Sequence, residues 1–381
     1  MADSKELKNR GAVGVVPPLT PASIGFRMPA EWETHAATWV AWPHNPTDWP
    51  GKFQPIAWIF ADIVKNLSRA ELCHILVNSG DARDKARKIL EGCGIDETNI
   101  RFHVWPTNRI WTRDSGAIFV RDHNDEVAAT DWKFNAWAKY DDWQLDNKIA
   151  DKMAKHVGCE AFQPIAQVGG KQIRVVLEGG SIDTNGQGTL LTTEECLLSN
   201  VQARNPQLTR EDYERLFSEY LGIDQVIWLK RGIAGDDTHG HVDDISRFVA
   251  ADQVVTVIEE SRADENYLWL QENLEILRTS TDVHGRRLRV KTLPMPAPVV
   301  FKGQRLPASY ANFYIANDSV LVPVFNDPND RVALNTLCDI YPSKRIVPIY
   351  CGDFIWGLGA IHCMTQQQPA GKPFKKKKSR P

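Results

Sequence analysis

The hydrophobic pattern of this chain repeats one order of elements. A segment of helical period is followed by a short apolar run of strand character, then by two alternating runs joined by a turn. Helix starts are predicted at Asp81, Asp146, Thr209, Asp264 and Asp327, whose short polar side chains can accept from the free N–H groups of a first turn. Pro328 stands where a first-turn proline is tolerated. These starts lie 65, 63, 55 and 63 residues apart. Strands are predicted from Ile100 to Trp105, Gln225 to Leu229 and Arg345 to Tyr350. Hairpins are predicted for Ile245 to Ala250 with Val254 to Ile258, and for Asn312 to Ala316 with Val320 to Val324 across Asn317-Asp318. The run Thr38 to Trp42 stands outside the series and is a candidate to pair with the segment after Cys363, closing a ring.

Chemistry recurs at the same interval. Asp114, Glu178 and His241 are separated by 64 and 63 residues, and Cys363 follows His241 by 122, two further steps. Each group lies 32 to 36 residues after a predicted helix start. A repeated supersecondary unit explains this, one loop per copy delivering one group to a shared centre. A doubly wound parallel sheet does not predict chemistry at equal intervals. The fourth unit would place its loop near Pro296, Ala297 and Pro298, where nothing ionises, and that loop reads as a wall or lid.

Composition narrows the class only slightly. With 381 residues, 43% hydrophobic and 24% charged, the chain is expected to be soluble and globular with a substantial core. A net charge of −3 gives no electrostatic case for nucleic acid. The stretch Met1 to Pro29 lacks the apolar core of a signal peptide, and no stretch reaches a transmembrane span. Seven cysteines without framework spacing fit a reducing, cytoplasmic setting. Cys73, Cys93, Cys159, Cys196, Cys338 and Cys351 read as small packing residues. The expected organisation is a flexible segment over 1–27, one catalytic domain over 28–368 and a basic, disordered tail over 369–381. Most of the thirteen tryptophans read as core or rim, with Trp111 the exception, since a planar cation gains from an aromatic face.

Two aspartates, a glutamate, a histidine and a thiol suit attack on a guanidinium carbon. Asp114 and Asp243 can accept from the rigid donor fork of such a cation. His241 can move protons, Glu178 can orient it, and a thiol can attack once a nearby cation or the bound substrate favours its thiolate. A metal hydrolase built on His239, His241, Asp243 and Cys363 is the rival, although its histidines are two apart rather than at helical spacing.

The segments Met28-Pro29-Ala30-Glu31-Trp32-Glu33, Trp111-Thr112-Arg113-Asp114, Glu178-Gly179-Gly180-Ser181, Gly235 to Asp243 and His362-Cys363-Met364-Thr365-Gln366-Gln367 resemble the agmatine deiminase and bacterial peptidylarginine deiminase family, from about Met28 to Gln368. The resemblance implies an α/β fold, a five-bladed β/α propeller of ββαβ modules, with a cofactor-free and metal-free site at its axis. It implies Cys363 as nucleophile, His241 as general acid and base, Glu178 as support, and Asp114 and Asp243 on the guanidinium. Trp111 and Arg113 join the substrate-binding set, and His239 is structural. The implied reaction takes agmatine to N-carbamoylputrescine and ammonia on the way to putrescine, with peptidyl or free arginine as the second candidate substrate. No nucleic acid or membrane partner is expected, and a homodimer is the candidate assembly. Where many members carry Gly-Gly-Gly-Asn, this chain has Gly357-Leu358-Gly359-Ala360, which removes an asparagine beside the nucleophile and bears on the substrate's far end.

Overall fold

The computed structural model describes residues 19–376, in which five units share a core topology. In each unit an antiparallel hairpin is followed by a helix, and the next strand returns parallel to the hairpin's second strand. Ser246–Ala250 and Gln253–Ile258 pair antiparallel, helix Asn266–Thr279 crosses over, and Arg289–Pro294 pairs parallel to the second strand. Tyr314–Ile315, Ser319–Val324, helix Pro328–Ile340 and Arg345–Tyr350 repeat the pattern. So do Asp183–Thr184, Thr189–Thr193, helix Arg210–Leu221 and Gln225–Leu229, and so do Ile118–Arg121, Glu126–Thr130, helix Ile149–Val157 and Ala161–Phe162.

The remaining unit joins distant parts of the chain. His35–Ala41 pairs antiparallel with Gln366–Pro369, Thr38 opposite Gln367, which is the pairing expected for the outlying early strand. Helix Ile56–Leu67 then leads to Leu72–Val77, parallel to His35–Ala41, and helix Gly80–Gly92 adds Ile100–Val104.

Local chemistry explains the helix boundaries. Thr209 and Asp327 both close reciprocal capping boxes, with Asp212 and Asp330 three residues on, and Pro328 occupies the first turn. Ser79 rather than Asp81 caps its helix, Asp81 falling in the first turn, and Asp146 opens a short 3-10 turn before Ile149. Gly222 ends its helix at φ +65, and a Cβ there would lie 2.8 Å from the Phe26 carbonyl, so the same glycine lets the segment before Met28 pack against the helix end. Helix Ile56–Leu67 buries Ile56, Phe60, Ile63, Val64 and Leu67 on one face. Among the described residues no helix is long and apolar enough to cross a membrane.

Candidate active site

The loop entering each hairpin carries one polar group inward. Asp114 precedes Ile118–Arg121, Glu178 precedes Asp183–Thr184, His241 precedes Ser246–Ala250, Asn312 precedes Tyr314–Ile315, and Cys363 precedes Gln366–Pro369. The fourth unit's loop is therefore at Asn312. Pro296, Ala297 and Pro298 line a separate surface groove with Asp264 and Asp327 and are neither wall nor lid of the site. The small hairpin Val300–Phe301 with Gln304–Arg305 is inserted between them and displaces the loop in sequence.

These loops are fixed by backbone chemistry. Asp236 accepts from the N–H groups of Thr238, Gly240 and His241 at 2.8, 2.7 and 3.1 Å, so one carboxylate shapes the turn that presents His241. Thr112 Oγ1 donates to the carbonyls of Trp39 and Met364, and the Arg113 N–H to that of Cys363 at 3.2 Å, tying the Asp114 turn to the cysteine turn. Gly180 allows close approach: a Cβ there would stand 2.6 Å from His241 Nδ1 and 2.8 Å from Asp114 Oδ1. Its N–H donates to that Asp114 oxygen at 3.1 Å. Ala136, Trp137 and Ala138 are consecutive left-handed residues, a strained turn that brings Trp137 Nε1 2.9 Å from Asp114 Oδ2.

Cys363 and Asp114 line a cavity of about 230 Å³ together with Trp111, Trp137, Asp48, Asp237 and Leu358, and Glu178, His241, Asp243 and Asn312 are buried behind that lining. Cys363 Sγ is 3.8 Å from Asp243 Oδ2 and receives the Asn312 amide at 3.1 Å. His241 Nδ1 lies 3.8 Å from Asp114 Oδ1 and 4.0 Å from Asp243 Oδ1, and Nε2 is 3.7 Å from Glu178 Oε2. Both nitrogens of buried His241, and Asp243 Oδ1, have no hydrogen-bond partner among the described residues. Unpaired buried polar atoms are costly, and here they converge where a cationic, multi-donor ligand would complete them.

Electrostatics separate the groups. Burial disfavours the His241 imidazolium, but Asp114, Cys196 and Glu178 outweigh it and raise its pKa well above the ordinary value. Burial also disfavours the Glu178 carboxylate, yet Arg204, 3.2 Å away, and His241 lower its pKa. Asp114 is pushed up to about 6 by burial, with Asp243 and Glu178 adding and His241 opposing. Burial disfavours the Asp243 carboxylate, but His362, His241 and Arg247 outweigh it, and the pKa is lowered. The Cys363 thiol is raised well above its ordinary value by burial and then by Asp243, Asp244 and Asp114. The side-chain charges that act on it most are three carboxylates, which oppose the thiolate, so of the two expected sources of positive charge the bound substrate is favoured.

Several expected residues change standing. Arg113 does not line the cavity; it is buried against Glu31, Gln367 and the His362 carbonyl, because the carboxylate and amide outside the cavity satisfy its fork better than the site could. Asp244, next to Asp243, is buried too, accepts from Asn312 at 2.9 Å and has its pKa raised well above normal by burial, Asp243 and Asp236. The rival metal set does not form among the described residues, since His239 turns to Ser199 Oγ, 3.2 Å away, from a left-handed backbone. Trp111 does line the cavity, packed on Gly359, where a Cβ would come within 2.8 Å of the indole.

Other residues carried no signal in the repeat. His362 places Nδ1 2.6 Å from Asp243 Oδ2 and Nε2 2.7 Å from Glu31 Oε2. Burial opposes ionisation of Glu31, but Arg247, His362 and Arg113 outweigh it and hold its pKa well below the usual range. Cys196 lies beside His241 and Glu178, a more specific position than a packing residue needs. Asn312, lacking an ionisable group, was invisible to a search for charges at equal intervals.

The comparisons agree in extent. The agmatine deiminase of Ectopseudomonas mendocina is 35% identical over 374 residues, covering 92% of this chain and 97% of that one. The solved agmatine deiminase of Enterococcus faecalis superposes with a TM-score of 0.85 at 33% identity, covering 93% of this chain and 98% of its own. A C. jejuni agmatine deiminase solved with substrate bound gives 0.80 at 30% identity, with 91% and 97% covered. The model of the Porphyromonas-type peptidyl-arginine deiminases matches residues 27–369, and with the whole described architecture shared at this identity, the chain belongs to that family.

Proposed function

We propose that the chain hydrolyses the guanidinium of agmatine, releasing ammonia and N-carbamoylputrescine, as a step towards putrescine in the cytoplasm. The observation that carries the proposal is the cluster at one cavity: Cys363 and Asp114 line it, and Asp243, 3.8 Å from the Cys363 Sγ, and His241, 3.8 Å from Asp114 and with ring nitrogens unpaired among the described residues, are buried directly behind them. The guanidinium sits between the two aspartates and supplies the positive charge that the thiol lacks. As the cation binds, the Cys363 thiol gives its proton to solvent water and the thiolate attacks the guanidinium carbon; His241, held protonated by Asp114 and Glu178, gives a proton to the departing nitrogen, the C–N bond breaks and ammonia leaves. The resulting thiouronium is attacked by water, whose proton passes to His241; the C–S bond then breaks, the product urea oxygen comes from that water, and the thiol is restored. The five units are read as blades of a propeller around this cavity, within one catalytic domain over 28–368.

Agmatine is preferred to arginine by the charge of the cavity. Asp48, Asp114 and Asp237 line it against Arg109 alone, and Arg109 is already paired with Asp48 and Asp142. An amine at the substrate's far end suits that balance, whereas the carboxylate of free arginine opposes it. Ammonia release is to be measured side by side with agmatine, arginine and an arginine peptide. The expected order has agmatine turned over at least tenfold more efficiently. Preference for the peptide would reassign the substrate to protein arginine, and no release from any of the three would refute the deiminase reading.

A further inference from the structure

We propose that His74, His103 and His156 form a binding site for one divalent transition-metal ion of borderline softness, such as Zn²⁺ or Co²⁺, distinct from the catalytic cavity. The three come from separate elements: strand Leu72–Val77, strand Ile100–Val104 and the last turn of helix Ile149–Val157. One nitrogen of each lies within 4.8 Å of the others, and none of the three lines the cavity.

His74 Nδ1 and His103 Nε2 are 2.8 Å apart, a contact in which one ring must present a lone pair to the other's N–H. It is the one hydrogen bond these three imidazole rings make to protein among the described residues; no carboxylate or carbonyl takes their remaining nitrogens. His74, the buried member, has no such acceptor, and packing alone accounts poorly for three imidazoles from separate elements that bring their nitrogens together. Aromatic neighbours hold the ring planes. Trp39 stacks on His74 with centroids 3.9 Å apart at 16°, and Trp105 lies 4.6 Å from His103.

Tetrahedral coordination at about 2.0–2.1 Å per bond needs nitrogens about 3.4 Å apart, within reach of small ring rotations. The donor ring of the His74–His103 pair changes tautomer as the ion enters, with no net proton change. Burial grades from His74, which is buried, through His103 to exposed His156, leaving water the fourth position and the ion a way in. Three neutral imidazoles without a carboxylate favour zinc, nickel, copper or cobalt over calcium and magnesium. Lys152, 5.9 Å over the Trp105 ring, adds positive charge at the rim and moderates the affinity.

The test is titration of the chelator-stripped full chain with Co²⁺ near neutral pH, read by its visible absorption, and with Zn²⁺ by calorimetry. The expected result is one ion per chain, with tetrahedral cobalt bands and no thiolate-to-metal charge-transfer band. Because even outer-shell partners are worth about 10–100-fold in metal affinity, His156→Gln and His103→Gln should each weaken binding at least tenfold. Cys363→Ser, which removes the thiol from the catalytic cavity, should leave binding unchanged. His156 is exposed, so its variant is expected to fold, and circular dichroism checks both. Absence of stoichiometric binding, binding that survives both histidine variants, or a thiolate band lost in Cys363→Ser would each overturn the site and leave the cluster as aromatic packing.

Discussion

At the scale of single residues, the division of labour in the cavity leads to sharp expectations. Cys363→Ala should abolish turnover without unfolding the chain, while Cys351→Ala, remote from the cavity, should be far milder for catalysis; ammonia release and circular dichroism check both. Asp114→Asn or Asp243→Asn turns an acceptor into a donor facing donors, a loss of about 2–4 kcal/mol. That corresponds to about 30- to 1000-fold in kcat/KM. Asp244→Asn should change kcat/KM less than about threefold, because burial already favours the neutral acid there and an amide oxygen can still accept from Asn312. Equal losses in all three variants would refute the clamp. The pH profile follows from Asp114. With a pKa of about 6, its carboxylate is protonated as pH falls through that value, so kcat/KM should decline on the acid side from about 6. Trp137→Phe removes a hydrogen bond that favours the carboxylate, and should move that acid limb to higher pH.

At the scale of elements, what could be read from the sequence depended on whether the signal was local. Gln225–Leu229 and Arg345–Tyr350 appear with their expected bounds because each is a short apolar run between turn residues, and Thr209 and Asp327 cap because the partner acid is three residues away. Asp114, Glu178, His241 and Cys363 could be placed because ionisable groups stand out against a period. Asn312 could not: the inserted hairpin Val300–Phe301 with Gln304–Arg305 breaks the period, and an amide carries no charge to find. The resemblance puts Arg113 in the substrate-binding set with the motif Trp111 to Asp114, but neighbouring residues of a one-turn helix point in different directions. Asn312→Ala should leave helix and strand content intact and lower kcat/KM by about tenfold or more, since it removes a donor to the thiolate and frees Asp244 from its partner. Gly180→Ala should be worse, its methyl displacing the His241 ring and an Asp114 oxygen together, and a crystal structure of the variant would show which yields.

At the scale of the whole molecule, the proposed reaction draws on every unit and assigns each step to side chains. Activity should therefore persist after exhaustive chelation, even if the His74 cluster has been emptied of metal. Loss restored by zinc would instead require a metal in the mechanism. The pairing of His35–Ala41 with Gln366–Pro369 has a further consequence during synthesis on the ribosome. Trp39 and its partner Gln368 are 329 positions apart, so the early strand must wait with one edge bare while almost the whole protein is translated. The strand that covers this edge arrives together with the nucleophile's own turn. A nascent chain interrupted before it can have four finished units, an aggregation-prone edge and no catalytic power at all.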